Sequence, residues 1–317
     1  MLTYLLLFLG FALLVKGADI LVDGSSSIAK KFGISDLVIG LTIVAMGTSA
    51  PELVVNIIAS IKGNSDIAIG NVVGSNIANI LLILGVASII YPLSITKGTA
   101  YKEIPLNMLA VALLFVLAND FLIDGMNFSM ITRSDGIAFF GFFLIFLYYT
   151  FGIAKVKGKE KDDIKKYHPL IAALLVVGGI VCLTIGGKLV VDAAVSIASR
   201  FGISQSLIGL TIVAIGTSLP ELATSAVAAW KKSADIAVGN IVGSNIFNIF
   251  WILGLSSIIH PIPLNSINNF DILVCFLATV LLFIFMYTGK KNTLERWQGI
   301  IFIGIYTSYL SYLVIRG

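Results

Sequence analysis

The chain has 317 residues, of which 58% are hydrophobic and only 12% charged, with a mean hydropathy of +1.01. A soluble domain carries about a quarter charged residues, so this composition belongs in a bilayer. The net charge of +4 points to no nucleic-acid partner, and its distribution reports topology instead.

Apolar runs of about 20 residues, the length that crosses a bilayer core, recur from end to end. In chain order they cover 2–22, 37–60, 67–91, 105–123, 137–154, 169–190, 206–230, 236–260, 271–288 and 298–315, ten expected spans. Membrane β-barrels use short alternating strands, so runs of this length exclude one. The first run has no basic residue before it and Lys16 after it, unlike a cleaved signal peptide. Cys182 and Cys275 both lie in apolar segments and read as small buried hydrophobes, with no disulfide or thiolate metal site.

Ten spans with both termini outside put 16 of the 21 Lys and Arg residues in the cytoplasm, which fixes the expected orientation. The one sizeable hydrophilic stretch, 155–168, is then a cytoplasmic linker between two five-span halves, 1–154 and 169–317. Its six lysines read as a solvated face, with contact to anionic headgroups as the alternative.

The halves are related. Residues 33–85 align with 202–254 at a constant offset of 169, without a gap, and 33 of the 53 positions are identical. An odd number of spans per half makes the second copy cross in the opposite sense, giving an inverted-topology repeat. The expected fold is therefore an all-α polytopic membrane protein of ten helices in two inverted five-helix repeats, with helices two and seven broken.

Each copy carries two polar blocks inside apolar sequence. The first is Gly47-Thr48-Ser49-Ala50-Pro51-Glu52 and Gly216-Thr217-Ser218-Leu219-Pro220-Glu221. Proline removes a backbone N–H and clashes with the carbonyl four residues back, and glycine loosens the same turn. Carbonyls near 45–48 and 214–217 should therefore lose helical partners, which at membrane depth protein, water or an ion must replace. Thr48, Ser49, Thr217 and Ser218 add hydroxyls within a turn of Glu52 and Glu221. Hard oxygen ligands around two carboxylates suit Ca2+ or Na+ and not soft metals. A structural role for the glutamates is the lesser reading, because acids at the bilayer centre usually mark an ion or proton path.

The second block runs through Gly70, Asn71, Gly74, Ser75, Asn76 and Asn79, and again through Gly239, Asn240, Gly243, Ser244, Asn245 and Asn248. The glycines sit at a spacing that allows close helix approach. Ser75 and Asn79, like Ser244 and Asn248, share a helix face. These faces, crossed over the broken spans, are expected to complete a cage around Glu52 and Glu221. The alternative for the hydroxyls and amides is interhelical hydrogen bonding. Asp23 and Asp192 read as helix-end contacts, or as a vestibule for ions. Asp66 and Asp235 read as helix-opening acids, Lys62 and Lys231 as interfacial anchors, and Trp230, Trp251 and Trp297 as belt or packing aromatics.

The paired blocks in inverted register resemble the alpha repeats of the sodium/calcium exchangers, and the resemblance covers both halves. It implies that Glu52 and Glu221 bind Ca2+ together with the backbone carbonyls of Thr48 and Thr217. It further implies Na+ sites using Ser49, Ser75, Ser218, Ser244 and the carbonyls of Ala45 and Ala214, with Asn79 and Asn248 at the centre. The potassium-dependent branch has Asp where this chain has Asn248, which argues against potassium co-transport.

A bottom-up mechanism agrees. Two carboxylates are balanced by one Ca2+ or by Na+ ions on the same oxygens, and an empty site leaves unpaired charge in low dielectric, so only loaded protein should switch access. Spans one and six are the candidates to slide. The expectation is an antiporter and not an enzyme, with no catalytic residues, no cofactor, Ca2+ and Na+ as substrates, the bilayer as environment and no obligate protein partner. A Ca2+/H+ exchanger, a cation channel and a non-transporting scaffold are the alternatives. The doubled hydroxyls favour sodium coupling over proton coupling.

Overall fold

Long apolar segments with few internal breakers can satisfy their backbone in lipid only as helices, and the computed structural model follows that rule. It describes residues 2–154, 167–202 and 214–316. Eight helices among these are long and apolar enough to cross a membrane. They are α1 (Leu2–Phe32), α4 (Ser65–Ile90), α5 (Thr99–Ala118), α6 (Arg133–Ile153), α7 (Pro169–Arg200), α9 (Ala234–Ile259), α10 (Asn268–Phe285) and α11 (Arg296–Arg316). Helices α2 (Asp36–Thr48) and α3 (Ala50–Ile61) form a further span, bent by 48° at Ser49. Of the expected span 206–230, residues 206–213 lie outside the described residues, and its second half is α8 (Leu219–Trp230). Most of the 155–168 linker also lies outside them.

Two helices are longer than their apolar runs suggested. Expected spans 2–22 and 169–190 are the 31-residue α1 and the 32-residue α7. Asp23 and Asp192 therefore lie inside helices and not at their ends. Charges within and just beyond the apolar runs are paired along the helix surface, Lys16 with Asp19 at 3.1 Å and Lys188 with Asp192 at 2.8 Å, so they do not terminate the helices.

Helices α1 and α7 pack antiparallel through glycines. A Cβ on Gly10 would lie 3.0 Å from the Gly186 carbonyl oxygen, one on Gly17 3.0 Å from that of Gly179, and one on Gly24 2.9 Å from that of Ala172. Backbones this close leave no room for side chains. The expected close approach of Gly239 and Gly243 is also present. Their Cβ positions would meet the carbonyl oxygens of Leu37 and Leu41 on α2 at 2.9 and 2.7 Å. Gly70 and Gly74 have no such neighbour among the described residues.

Two short antiparallel ribbons tie the halves together. Strand β1 (Leu93–Ser94) pairs with β4 (Thr293–Leu294), and β2 (Met130–Ile131) with β3 (Ile262–Pro263). Helix α5 separates β1 from β2, so the ribbons lie at opposite ends of a span. Asp66 and Asp235 stand in the first turns of α4 and α9, as expected of helix-opening acids. Lys231, expected as an interfacial anchor, also forms ion pairs, its ammonium lying 2.6 Å from Asp19 and 2.5 Å from Asp23 on α1.

Candidate functional site

The site grows out of the two helix breaks. At Ser49 the backbone leaves helical geometry (φ −82°, ψ 8°), and Pro51 opens the next helix, where its missing N–H costs nothing. Ser218 and Pro220 repeat the arrangement, with φ −86° and ψ 6° at Ser218. Glu52 and Glu221 thus fall in the first turns of α3 and α8, both 1% exposed. One carbonyl expected to lose its helical partner keeps it. The carbonyl of Ala45 keeps the Ser49 N–H as a partner at 3.0 Å and also accepts from Thr48 Oγ1 at 3.3 Å. In the second half the Ser218 N–H turns to the Ile215 carbonyl instead, at 3.1 Å.

Each glutamate is met by the opposite copy. Ser49 Oγ donates to Glu221 Oε1 at 2.9 Å, and Ser218 Oγ donates to Glu52 Oε1 at 3.4 Å. Ser244 Oγ reaches Glu221 Oε1 at 3.5 Å. The Thr217 and Thr48 hydroxyls lie within reach of the Glu52 and Glu221 carboxylates. Five residues named from the sequence therefore gather about the two acids.

The second block forms the adjoining wall. Asn79 and Asn248 open matched π-helical stretches, Ala78–Ile83 and Phe247–Leu253, a helical irregularity frequent at functional sites. Asn79 Nδ2 donates to Asn245 Oδ1 and Asn248 Nδ2 to Asn76 Oδ1, both at 2.9 Å. Among the described residues their own Oδ1 atoms have no hydrogen-bond partner, and neither have Glu52 Oε2, Glu221 Oε2 and Ser75 Oγ. Buried polar atoms left without partners are rare in folded proteins. Of the 14 such atoms among the described residues, these five are oxygens on residues of one expected cage. An oxygen-only set containing two carboxylates suits a hard cation such as Ca2+ or Na+.

Sequence reasoning passed over four asparagines that the structure uses. Asn76 and Asn245 hold Asn248 and Asn79. Asn71 and Asn240 accept from Thr217 at 3.4 Å and Thr48 at 3.0 Å. Identity at the 169 offset was the available signal, since all four are matched pairs within the duplicated block.

A family model described as sodium/calcium exchanger protein matches residues 2–152 and 171–315. The chain belongs to the sodium/calcium exchanger family. Members similar to it include the sodium/calcium exchanger MaX1 of Methanosarcina acetivorans, 34% identical over 97% of both chains. The inner membrane protein YrbG of Escherichia coli is 36% identical over 97% of this chain and 95% of its own. Among solved structures, the sodium-calcium exchanger NCX_Mj soaked with 10 mM Na+ and zero Ca2+ superposes with a TM-score of 0.85 at 34% identity, covering 98% of each chain. Family membership and the apolar helices together make this a multi-pass membrane protein of ion transport.

Proposed function

We propose that the protein is a secondary antiporter that exchanges Ca2+ for Na+ by alternating access at the Glu52–Glu221 site. The observation that carries this reading is the crossed pair of contacts, Ser49 to Glu221 and Ser218 to Glu52, which places both carboxylates among oxygens from both copies. Glu52, Glu221 and the carbonyls of Thr48 and Thr217 take Ca2+. Ser49, Ser75, Ser218 and Ser244, with the carbonyls of Ala45 and Ala214, take Na+ beside Asn79 and Asn248. The name of MaX1 and the Na+ soak of NCX_Mj support sodium as the counter-ion.

One Ca2+ neutralises the two carboxylates, and Na+ ions on the same oxygens replace it, so the loaded forms are mutually exclusive. Unloaded protein that moved would carry two unpaired buried charges, which couples the fluxes. Ten helices in two inverted halves, 1–154 and 169–317, complete the proposal, with both termini outside and 155–168 in the cytoplasm. The antiparallel packing of α1 on α7 supports the inversion. The charge at the ribbons supports the orientation. The β1–β4 end carries Lys97, Lys102, Lys290, Lys291 and Arg296, while the β2–β3 end carries Asp120, Asp124 and Asp135 against Arg133.

The deciding experiment is 45Ca2+ uptake into proteoliposomes under an imposed Na+ gradient, repeated with a pH gradient alone. Uptake driven by Na+ is expected. Uptake driven by pH and indifferent to Na+ would replace sodium with protons, and leak without any counter-ion would make the protein a channel.

A further inference from the structure

The threonines beside the glutamates face a choice of acceptor. A hydroxyl has one proton to give, and Thr48 Oγ1 has three acceptors in reach, Asn240 Oδ1 at 3.0 Å, the Ala45 carbonyl at 3.3 Å and the Glu221 carboxylate. Thr217 Oγ1 likewise has Asn71 Oδ1, at 3.4 Å, and the Glu52 carboxylate. The choice matters for a cation. A threonine that donates to the carboxylate occupies a lone pair the ion needs, whereas one that donates elsewhere leaves the carboxylate free and turns its own oxygen lone pairs toward the site.

The asparagines cannot be read either way round. Asn71 Nδ2 lies 3.3 Å from the Glu52 backbone carbonyl and 2.6 Å from Asn56 Oδ1. Asn56 in turn directs its Nδ2 to the Ala68 carbonyl at 3.1 Å. Backbone carbonyls only accept, so the NH2 end of each amide is fixed and Asn71 Oδ1 must face Thr217. The second copy repeats the sequence of partners. Asn240 Nδ2 meets the Glu221 carbonyl at 3.5 Å and Ser225 Oγ at 3.0 Å, and Ser225 Oγ donates to the Ala237 carbonyl at 3.4 Å. Ala68 and Ala237 are matched positions at the 169 offset, as are Asn71 and Asn240. Two relays of one polarity thus run from a backbone anchor to a threonine of the opposite copy.

We propose that Asn71 and Asn240 are positioning residues that draw the Thr217 and Thr48 protons away from the carboxylates and so keep Glu52 and Glu221 open to the cation. This rests on the reading of the glutamates as the ion site. It differs from a packing role in one consequence. Without the asparagine, the threonine proton turns to the glutamate, a charged and therefore stronger acceptor than the Ala45 carbonyl, so deleting the threonine hydroxyl as well restores binding.

The test is a double-mutant cycle on the full-length protein in proteoliposomes, reading the Ca2+ concentration for half-maximal Na+-driven uptake. Asn240→Leu is expected to raise it about tenfold, the scale of a hydrogen bond to a charged group. Adding Thr48→Val to Asn240→Leu should bring it back down toward the value of Thr48→Val alone. Losses that multiply in the double variant, or an unchanged value in Asn240→Leu, would overturn the proposal. The Asn71→Leu and Thr217→Val cycle, at a less buried pair, gives the same reading if Asn240→Leu is not recovered folded. Ca2+ uptake left intact by Glu52→Gln or Glu221→Gln would instead strike the ion site itself, independently of these cycles.

Discussion

Asn76 and Asn245, 169 positions apart, exchange hydrogen bonds between α4 and α9. Asn76 Nδ2 donates to the Asn245 carbonyl at 3.2 Å, and Asn245 Nδ2 to the Asn76 carbonyl at 3.4 Å. Their Oδ1 atoms then accept from Asn248 and Asn79, so a ring of four amides, all 1% exposed or less, joins the copies. Side-chain bonds of this kind add to helix packing in a membrane, where no hydrophobic force drives helices together. Asn245→Ala removes two of these bonds and leaves the Asn79 amide without its acceptor. A loss of about 2 kcal/mol is expected, read as a lower unfolding midpoint in detergent. An unchanged midpoint would mean that the ring carries no stability.

Glu52→Gln and Glu221→Gln keep shape and remove charge. Each is expected to abolish Ca2+ transport while leaving the unfolding midpoint close to that of the parent. Wild-type rate and affinity in either variant, measured by 45Ca2+ uptake, would make that glutamate structural.

The site was legible in the sequence where duplication marked it. Two acids in matched Gly-Thr-Ser-x-Pro-Glu blocks have no place in a bilayer without a task, and the structure brings Ser49, Ser218 and Ser244 to them. Asn71 and Asn240 escaped because they share a stretch with Gly70, Gly74, Gly239 and Gly243, where close packing already accounts for the pattern. Nothing local distinguishes an amide that packs from one that orients a distant threonine. Helix length escaped for a different reason. Asp19 and Asp23 look like the end of a span, but Lys231 of the other half pairs with both, and no reading along the chain reveals a partner more than 200 residues away.

That ion triad is itself testable. Lys231 Nζ also donates to the Asp19 carbonyl at 2.9 Å, so one ammonium fastens the end of α8 to α1. Its side chain is 25% exposed, and those of Asp19 and Asp23 are 35% and 17% exposed, so solvent screens part of the attraction. Lys231→Met is expected to lower stability by about 1 kcal/mol at low salt, and by less at high salt. A loss that does not change with ionic strength would assign the effect to packing of the lysine stem.

Opposite crossing of the two halves predicts that matched positions face opposite sides of the membrane. Lys31 and Arg200 are such a pair, exposed near the ends of α1 and α7. With Cys182 and Cys275 replaced by alanine, Lys31→Cys should be labelled from the cytoplasmic side and Arg200→Cys from the outside. Labelling of both from one side would remove the inverted repeat, and the reversed pattern would turn the whole topology over.

Asn248 decides which cations the centre accepts. Its Nδ2 is committed to Asn76 Oδ1 at 2.9 Å, and its Oδ1 has no partner among the described residues. With a neutral amide there and another at Asn79, only Glu52 and Glu221 balance charge, so exchange is expected to proceed without K+. Asn248→Asp changes both ends of the side chain. One oxygen replaces the donor and faces Asn76 Oδ1, acceptor against acceptor, which costs about 1–3 kcal/mol. The other brings a third carboxylate to a site whose protonation is then shared among three groups. The variant should unfold at a lower temperature, and its transport should show a changed cation dependence and a steeper response to pH. Proteoliposome uptake with and without K+, across a pH series, reads both. An absolute K+ requirement in the parent, or a variant with the parent's ion and pH dependence, would show that residue 248 does not face the transported ions.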